Sequence, residues 1–257
     1  MSIDFPTLRL PSARAGRCSW ELCVQTAHPL DAPAAARIGA VLQTLAEAAN
    51  HGAFPLVGSP PAASRLALGG QHLDAQNMLV VLVEADNFDP RGFELLRCMA
   101  ERLVRQEVLV RAIAIGERGH AWQATARPAP DDDGEYEAYP PRSSLVRFEV
   151  LREPLDDSRS RRAVVDLVDA VRPGDVEQLS AWLRPWQHLL DAGAFAQPVG
   201  LPSQTESVAG ATTLFDERAI EVSVNRFRAS ECAWDVLANM IDACWPDVRR
   251  VSKLMID

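Results

Sequence analysis

The stretch Gly52-Ala53-Phe54 recurs as Gly193-Ala194-Phe195, and each triplet closes an alanine-containing, helix-forming segment of the chain. The offset between the two triplets is 141 residues. Matches that keep one order and one spacing along a chain indicate an internal duplication. The alternative is two similar α/β segments whose hydrophobic patterns coincide. Further pairs at the same offset are Gly69 and Gly210, Val81 and Val222, Val83 and Val224, and Met99 and Met240.

Each copy carries the same succession of predicted elements. A short leading strand comes first, and we expect it to form a hairpin with the apolar strand that follows. A helix then runs from an Asp N-cap to a Gly, over 31–52 in the first copy and 175–193 in the second. Two strands, a second helix that begins at Asp89-Pro90 or at Ser230, and a last strand complete each copy. The predicted strands span 7–10, 20–26, 65–69, 78–84 and 108–115 in the first copy, and 146–151, 163–168, 207–211, 219–225 and 250–256 in the second.

Without its leading strand, each copy reads β-α-β-β-α-β, which resembles the ferredoxin-like arrangement in element order alone. The predicted fold class is α+β, with two tandem ferredoxin-like repeats that form a pseudo-dimer. The first repeat spans 1–127 with an extra C-terminal strand at 120–127, an acidic, proline-rich connector spans 128–145, and the second repeat spans 146–257. Both helices of such a unit cover one face of its sheet. We expect the two repeats to cover the open faces with each other.

Composition restricts the cellular setting and the class of site. No apolar run approaches the roughly 20 residues that span a bilayer, and the N-terminus has no signal-peptide pattern, so a cytoplasmic location is expected. Five cysteines without a C-x-x-C pair predict neither a disulfide framework nor a metal site. Lys253 is the only lysine among the 26 basic residues, which with abundant Ala and Pro suggests a GC-rich bacterial genome.

Negative charge is concentrated in the second half of the chain. Residues 1–130 hold 12 acidic and 12 basic side chains, whereas residues 131–257 hold 23 acidic and 14 basic ones. The whole net charge of −9 therefore belongs to the second half, which begins with the acidic run 131–137. An acidic chain without a basic stripe argues against binding to nucleic acid or to an anionic membrane. The acidic run is a solvated linker or a docking surface for a basic partner.

One pair of matching strands differs in its hydrophobic pattern. The second copy alternates cleanly at 219–225, with Ile220, Val222 and Val224 predicted to face inward. The first copy, at 78–84, carries apolar residues on its other face as well. A strand that is apolar on both sides is typical of a sheet covered on both faces. We therefore expect the open face of the first copy to be buried, by the second copy, by segment 116–150 or by another subunit.

Candidate acid/base or metal-ligating residues lie near the end of one strand of the first copy. Glu84 and Asp86 end the strand just before a helix begins, where carboxylates can transfer protons or bind a cation. His72 could meet Glu84 from a neighbouring strand. The alternative for Asp86 is an ordinary turn residue. No H-E-x-x-H, G-x-S-x-G, phosphate-binding glycine loop or Cys/His signature accompanies them, so no catalytic residue, metal or cofactor is predicted.

Two further groups of candidate binding residues lie in the second copy. Arg226 and Arg228, at the end of a strand, can bind an anion or remain solvated edge charges. Trp182 and Trp186 lie one helical turn apart around Pro185, which is expected to kink the helix. Core packing and ligand stacking are the two roles open to this tryptophan pair.

These observations favour a non-catalytic interaction protein of the regulatory, accessory or immunity/inhibitor type. Its expected partner is a basic protein that binds through the acidic second repeat. The alternative is a small-molecule binding protein or an enzyme with a cleft between the two repeats, which rests on fold analogy alone. A third hypothesis is a structural subunit that forms a homo-oligomer through the apolar face of the first repeat.

Overall fold

A computed structural model describes residues 7–74, 78–105, 108–117, 142–153, 160–195, 208–226 and 229–257. The first half of the chain forms β1 (Thr7–Arg9), β2 (Arg17–Thr26), α1 (Ala32–Asn50), β3 (Arg65–Leu73), β4 (Leu79–Asp86), α2 (Leu95–Arg105) and β5 (Val110–Glu117). The second half forms β6 (Glu149–Arg152), β7 (Arg161–Leu167), α3 (Asp175–Asp191), β8 (Val208–Asp216), β9 (Ala219–Arg226), α4 (Cys232–Cys244) and β10 (Val251–Ile256). The predicted strand at 120–127 and most of the predicted connector lie outside the described residues.

The chain is a mixed α+β protein with two five-stranded sheets and four α-helices in its described part. The strand orders are β1-β5-β2-β4-β3 and β6-β10-β7-β9-β8, so corresponding strands occupy the same places in both sheets. The four strands that follow the leading strand pair antiparallel in each half. Such matching order in two halves of one chain agrees with the repeat at offset 141.

The leading strands do not form the predicted hairpins. β1 pairs in parallel with β5, and β6 pairs in parallel with β10, each at the edge of its sheet. The prediction is wrong because β2 already has β4 on one side and β5 on the other. The leading strand therefore has to pair at a free edge of the sheet, and in each half it takes the edge of the last strand.

Helix boundaries follow capping chemistry in the first half, whereas α3 and α4 begin without a side-chain cap. α4 begins at Cys232, two residues after the predicted start at Ser230. Asp31 caps α1 by accepting a hydrogen bond from the Ala34 N–H at 2.7 Å. Asp89 caps the short 3-10 helix Pro90–Glu94, which leads directly into α2. The N-cap of α3 is Gly174 and not Asp175 as predicted, because the Asp175 carboxylate instead binds Arg250 and the Arg172 N–H. α3 also continues through Pro185 as one helix.

The two halves meet through their helices. α1 packs against α3, and the short helix Pro61–Ala63 packs against α4. The layers therefore run sheet, helices, helices, sheet, and the buried apolar residues of both halves form one continuous core. The expectation that the open sheet faces cover each other is wrong. The helices of each half retain a second apolar surface, and burying it against the other half leaves both sheets facing outward.

Small side chains make this junction close-packed. The Cα of Gly52 approaches Ala243 so closely that an added Cβ would lie 2.4 Å from the Ala243 Cβ. The ring of His51 stacks on that of Trp182 with centroids 4.3 Å apart, and its Nδ1 lies 2.9 Å from the Trp182 carbonyl oxygen. Asn239 is fully buried between the halves, where its amide binds Ser143 N–H and Ala53 C=O.

We expect Gly52→Ala to destabilise the protein by about 2 kcal/mol more than Gly58→Ala, because only Gly52 has a neighbour across the junction. Both glycines have positive φ, +86° and +83°, so both substitutions carry a backbone strain of about 1–2 kcal/mol. No described heavy atom lies within 4 Å of a Cβ at Gly58. Urea unfolding of the two variants measures the difference, and equal destabilisation would contradict the close junction.

Candidate functional site

The side of the second sheet that faces away from the helices carries a network of charged side chains. We call it the second outer face and define it by Arg162, Asp166, Glu221, Lys253 and Asp257. Side chains alternate along a strand, so the residues between these charges, such as Val165, Ile220 and Leu254, point into the core.

Arg162 is the centre of the second outer face. Its Nε donates to Asp257 Oδ2 at 2.8 Å, and its Nη1 lies 3.7 Å from Glu221 Oε2. Its guanidinium carbon lies 5.7 Å from the centre of the Phe215 ring. The hydrogen bond to Asp257 is the main cause that raises the pKa of Arg162, so this side chain stays cationic.

A second ion pair extends the second outer face. Lys253 Nζ lies 3.4 Å from Asp166 Oδ2, and the two residues are direct partners between β10 and β7. The side chains of Asp166, Glu221 and Asp257 are 29%, 23% and 35% exposed. Three partly exposed carboxylates therefore share two cations on one face.

The corresponding side of the first sheet has an apolar patch in its middle, with Glu21 and Glu84 beside it. We call it the first outer face and define it by Cys23, Val80 and Leu82. Cys23 and Val80 are direct partners between β2 and β4, and both are 7% exposed although neither belongs to the core between sheet and helices. Leu82 is partly buried, as are Glu221 and Ser223 at the matching places of β9. The described residues of the second half do not provide the cover, because they pack on the helices instead.

The predicted acidic group of the first repeat is spread along one hairpin. His72 pairs with Val80, four residues before Glu84, so the two side chains are separated by about 13 Å and do not form a pair. Glu84 accepts a hydrogen bond from Arg17 Nη2 at 2.5 Å in an exposed ion pair. Asp86 ends β4 between Arg17 and Arg65 in register. Glu84 therefore binds an arginine of its own sheet.

The two predicted tryptophans contact α4. Trp182 donates its Nε1–H to the Met240 carbonyl at 2.9 Å and stacks on His51. Trp186 is fully buried, donates to the Ala233 carbonyl at 2.8 Å and lies 5.9 Å from the Trp234 ring. Both indole N–H groups donate hydrogen bonds within the protein, and both rings pack against other aromatic rings of the chain.

Of the predicted arginine pair, Arg226 alone belongs to the described residues. Arg226 is the last residue of β9, opposite Val208, and Arg228 lies outside the described residues. A charged cluster that we did not predict lies on the other side of the sheet centre, where Arg152 of the edge strand β6 forms ion pairs with Asp235 and Glu231 at the start of α4. Burial raises the pKa of the Asp235 carboxyl, and the charge of Arg152 opposes that rise.

Arg161 is a second residue that sequence reasoning missed. It is 6% exposed, and at the offset of 141 it takes the place of Trp20, which is 3% exposed in the first half. Trp20 lies 6.3 Å from Phe93 within an aromatic cluster. The replacement of a tryptophan by an arginine in the aligned copies was the available signal, since a buried charge needs partners that an aromatic ring does not.

The five cysteines differ in burial, and their reactivity tests that difference. Burial raises the pKa of Cys23 and of Cys232 to about 11 and that of Cys244 to about 12, while Cys18 and Cys98 are partly exposed. Because the thiolate is the reactive form, we expect at most Cys18 and Cys98 to react with Ellman's reagent in the folded protein. All five should react after unfolding in guanidinium. Rapid reaction of more than two thiols without denaturant would contradict this packing.

The described residues contain neither a metal-binding cluster nor a membrane-spanning helix. Within the described ranges, no group of three His, Cys, Asp or Glu side chains is placed to hold a metal ion. No helix in that part of the chain has both the length and the apolar character to cross a bilayer.

Comparisons with known proteins do not assign a family. A scan against protein-family models finds no match, and a search of the curated proteins finds no significant relative.

Proposed function

We propose that this chain is a non-catalytic protein-interaction module, of regulatory, accessory or immunity/inhibitor type, that binds a basic protein through the second outer face. The observation that carries the proposal is the set of three partly exposed carboxylates, Asp166, Glu221 and Asp257, on an outward-facing sheet. Among the described residues, the helices of each half pack on the other half, and the second outer face is left open to a partner.

The fold in this proposal is a pair of tandem ferredoxin-like repeats packed through their helices as a pseudo-dimer. The order β5-β2-β4-β3 and its counterpart β10-β7-β9-β8 support it, because a β-α-β-β-α-β unit of this type places its last strand beside its first. The leading strands β1 and β6 are additions at the edge.

Electrostatic exchange gives the second outer face a binding mechanism. Ion pairs between partly exposed side chains contribute little to stability, typically about 0–1 kcal/mol. A lysine or arginine of a partner can therefore replace Lys253 or Arg162 as the counter-ion of these carboxylates at low cost. Complementary charge of this kind accelerates association and makes binding sensitive to salt.

The alternative of a ligand cleft between the repeats has less support. Described residues of the junction, including Gly52, Ala243 and Asn239, are close-packed and leave no room for a ligand between them. A cleft beside Phe148, Trp245 and Arg249 lies wholly within the second half and has a volume of only about 10 Å³. Binding sites for small molecules usually measure about 300–1,000 Å³.

The test combines recovery of a partner with matched charge variants. The tagged protein is used to isolate partners from lysate of its native host, and the recovered partner is then purified. We expect Asp166→Asn with Glu221→Gln to weaken binding about tenfold at low salt and to reduce its salt dependence. The control, Glu21→Gln with Glu84→Gln, removes equal charge from the first sheet and should bind like the wild type. Equal binding by both double variants would contradict the proposed face.

A further inference from the structure

Four strands lie at the edges of the two sheets, and they differ in how well they are protected against pairing with another strand. β1 has three residues and ends in Arg9, and β6 has four residues and contains Glu149 and Arg152. β3 has nine residues but carries Arg65, His72 and two central glycines. β8 also has nine residues, and every residue from 208 to 215 is uncharged. Short length and charge are the usual means of blunting a sheet edge, and β8 has neither.

Apolar side chains are exposed along the same strand. Val208, Leu214 and Phe215 are 40%, 59% and 49% exposed. No other described strand carries more than one of the exposed large apolar side chains. Single exposed residues of this type are common on soluble proteins, whereas a group on one edge marks an interaction surface.

The local register limits where a second strand can pair. β8 pairs regularly with β9 from Thr212 to Leu214 and shifts register on both sides of that stretch. At the register shift beside Gly210, the Ser223 hydroxyl of β9 accepts a hydrogen bond from the Ala211 N–H at 3.0 Å. The outer edge of β8 is therefore regular around Thr213, where β9 is its one neighbour among the described strands.

We propose that β8 pairs antiparallel with β8 of a second copy of this chain, which joins the two second sheets into one. Backbone N–H and C=O groups on a free edge are complementary to an extended strand, and an antiparallel pair of identical strands is two-fold symmetric. The uncharged strand brings no like charges together. Antiparallel pairing also places the Asp216 end of each β8 beside the Val208 end of the other. In each chain, Val208 is paired with Arg226 of the neighbouring strand β9.

Sedimentation velocity of the purified full chain over a wide range of concentration tests this dimer. We expect the wild type to form a concentration-dependent dimer, and Leu214→Lys to weaken dimerisation about tenfold or more, because the symmetry brings the two introduced charges close together. Leu73→Lys is the matched control, since Leu73 is 43% exposed on the edge strand β3, and it should dimerise like the wild type.

A second variant and a folding check distinguish loss of the dimer from loss of the fold. Thr213→Lys, at another exposed position of β8, should give the same loss, and circular dichroism of each variant checks that it remains folded. A wild type that is monomeric throughout, or a dimer that Leu214→Lys and Thr213→Lys leave intact, overturns the proposal. A monomer would leave the edge to a strand from a different protein. Because Phe215 lies against Arg162 and Thr213 pairs with Glu221, β8 borders the second outer face. Dimerisation is therefore measured without a partner, and the charge-dependent binding proposed above is decided by its own charge variants.

Discussion

Replacing Arg250 by methionine is expected to lower the free energy of unfolding by about 3–5 kcal/mol. The Arg250 side chain is 4% exposed, and its Nη2 lies 2.5 Å from Asp175 Oδ2 and 2.9 Å from the Ala170 carbonyl oxygen. Without the guanidinium, the Asp175 carboxylate at the start of α3 keeps only the Arg172 N–H, 2.7 Å away, among its described partners. A buried carboxylate without its counter-ion is the main cause of the expected loss.

Two comparisons separate the buried charge from the loss of an ordinary ion pair. Arg14→Met removes the ion pair with Glu117, whose side chains are 66% and 53% exposed, and should cost less than about 1 kcal/mol. The double variant Arg250→Met with Asp175→Leu should recover part of the stability that Arg250→Met loses, because no charge is then left unpaired. Chemical denaturation measures all three. If Arg250→Met and Arg14→Met cost the same, the Arg250 pair does not have the buried character described.

The Asn239→Leu variant should lose about 2–5 kcal/mol of stability, because leucine has nearly the same size but forms no hydrogen bond. Asn239 is fully buried, accepts from Ser143 N–H at 2.8 Å and donates to the Ala53 carbonyl at 3.2 Å. Each of these backbone groups loses a partner at the junction of the two halves. Denaturant unfolding gives the free energy, and hydrogen exchange of the Ser143 amide should accelerate in the variant.

Asn50 provides a matched control for this substitution. Its side chain also forms two hydrogen bonds to backbone, both with Leu66 and both at 2.9 Å, but it is exposed and remains within the first half. Water can replace the amide there, so Asn50→Leu should cost about 1 kcal/mol or less. A loss as large as that of Asn239→Leu would mean that burial at the junction does not set the effect.

The candidate site was only partly accessible from the sequence. Alternation along 219–225 predicted the polar side of β9, including Glu221, because the period of a strand is visible in its residues. The partners of that side, Arg162 and Asp257, belong to β7 and to the end of the chain, and no local pattern joins them. Arg161 in place of Trp20 was visible at the repeat offset, but its burial was not.

By itself, the sequence determined the order of elements, because helix caps such as Asp31, hydrophobic period and an offset of 141 residues are local or repetitive signals. It underestimated β3 and β8, which were predicted to end at 69 and 211 but continue to Leu73 and Asp216, since a register shift allows a strand to go on where its local pattern suggests an end. Only the tertiary structure decided the parallel edge strands and the packing of helices on helices. Hydrophobic period shows which face of an element is buried, but the partner of that face depends on shape, as where Gly52 meets Ala243.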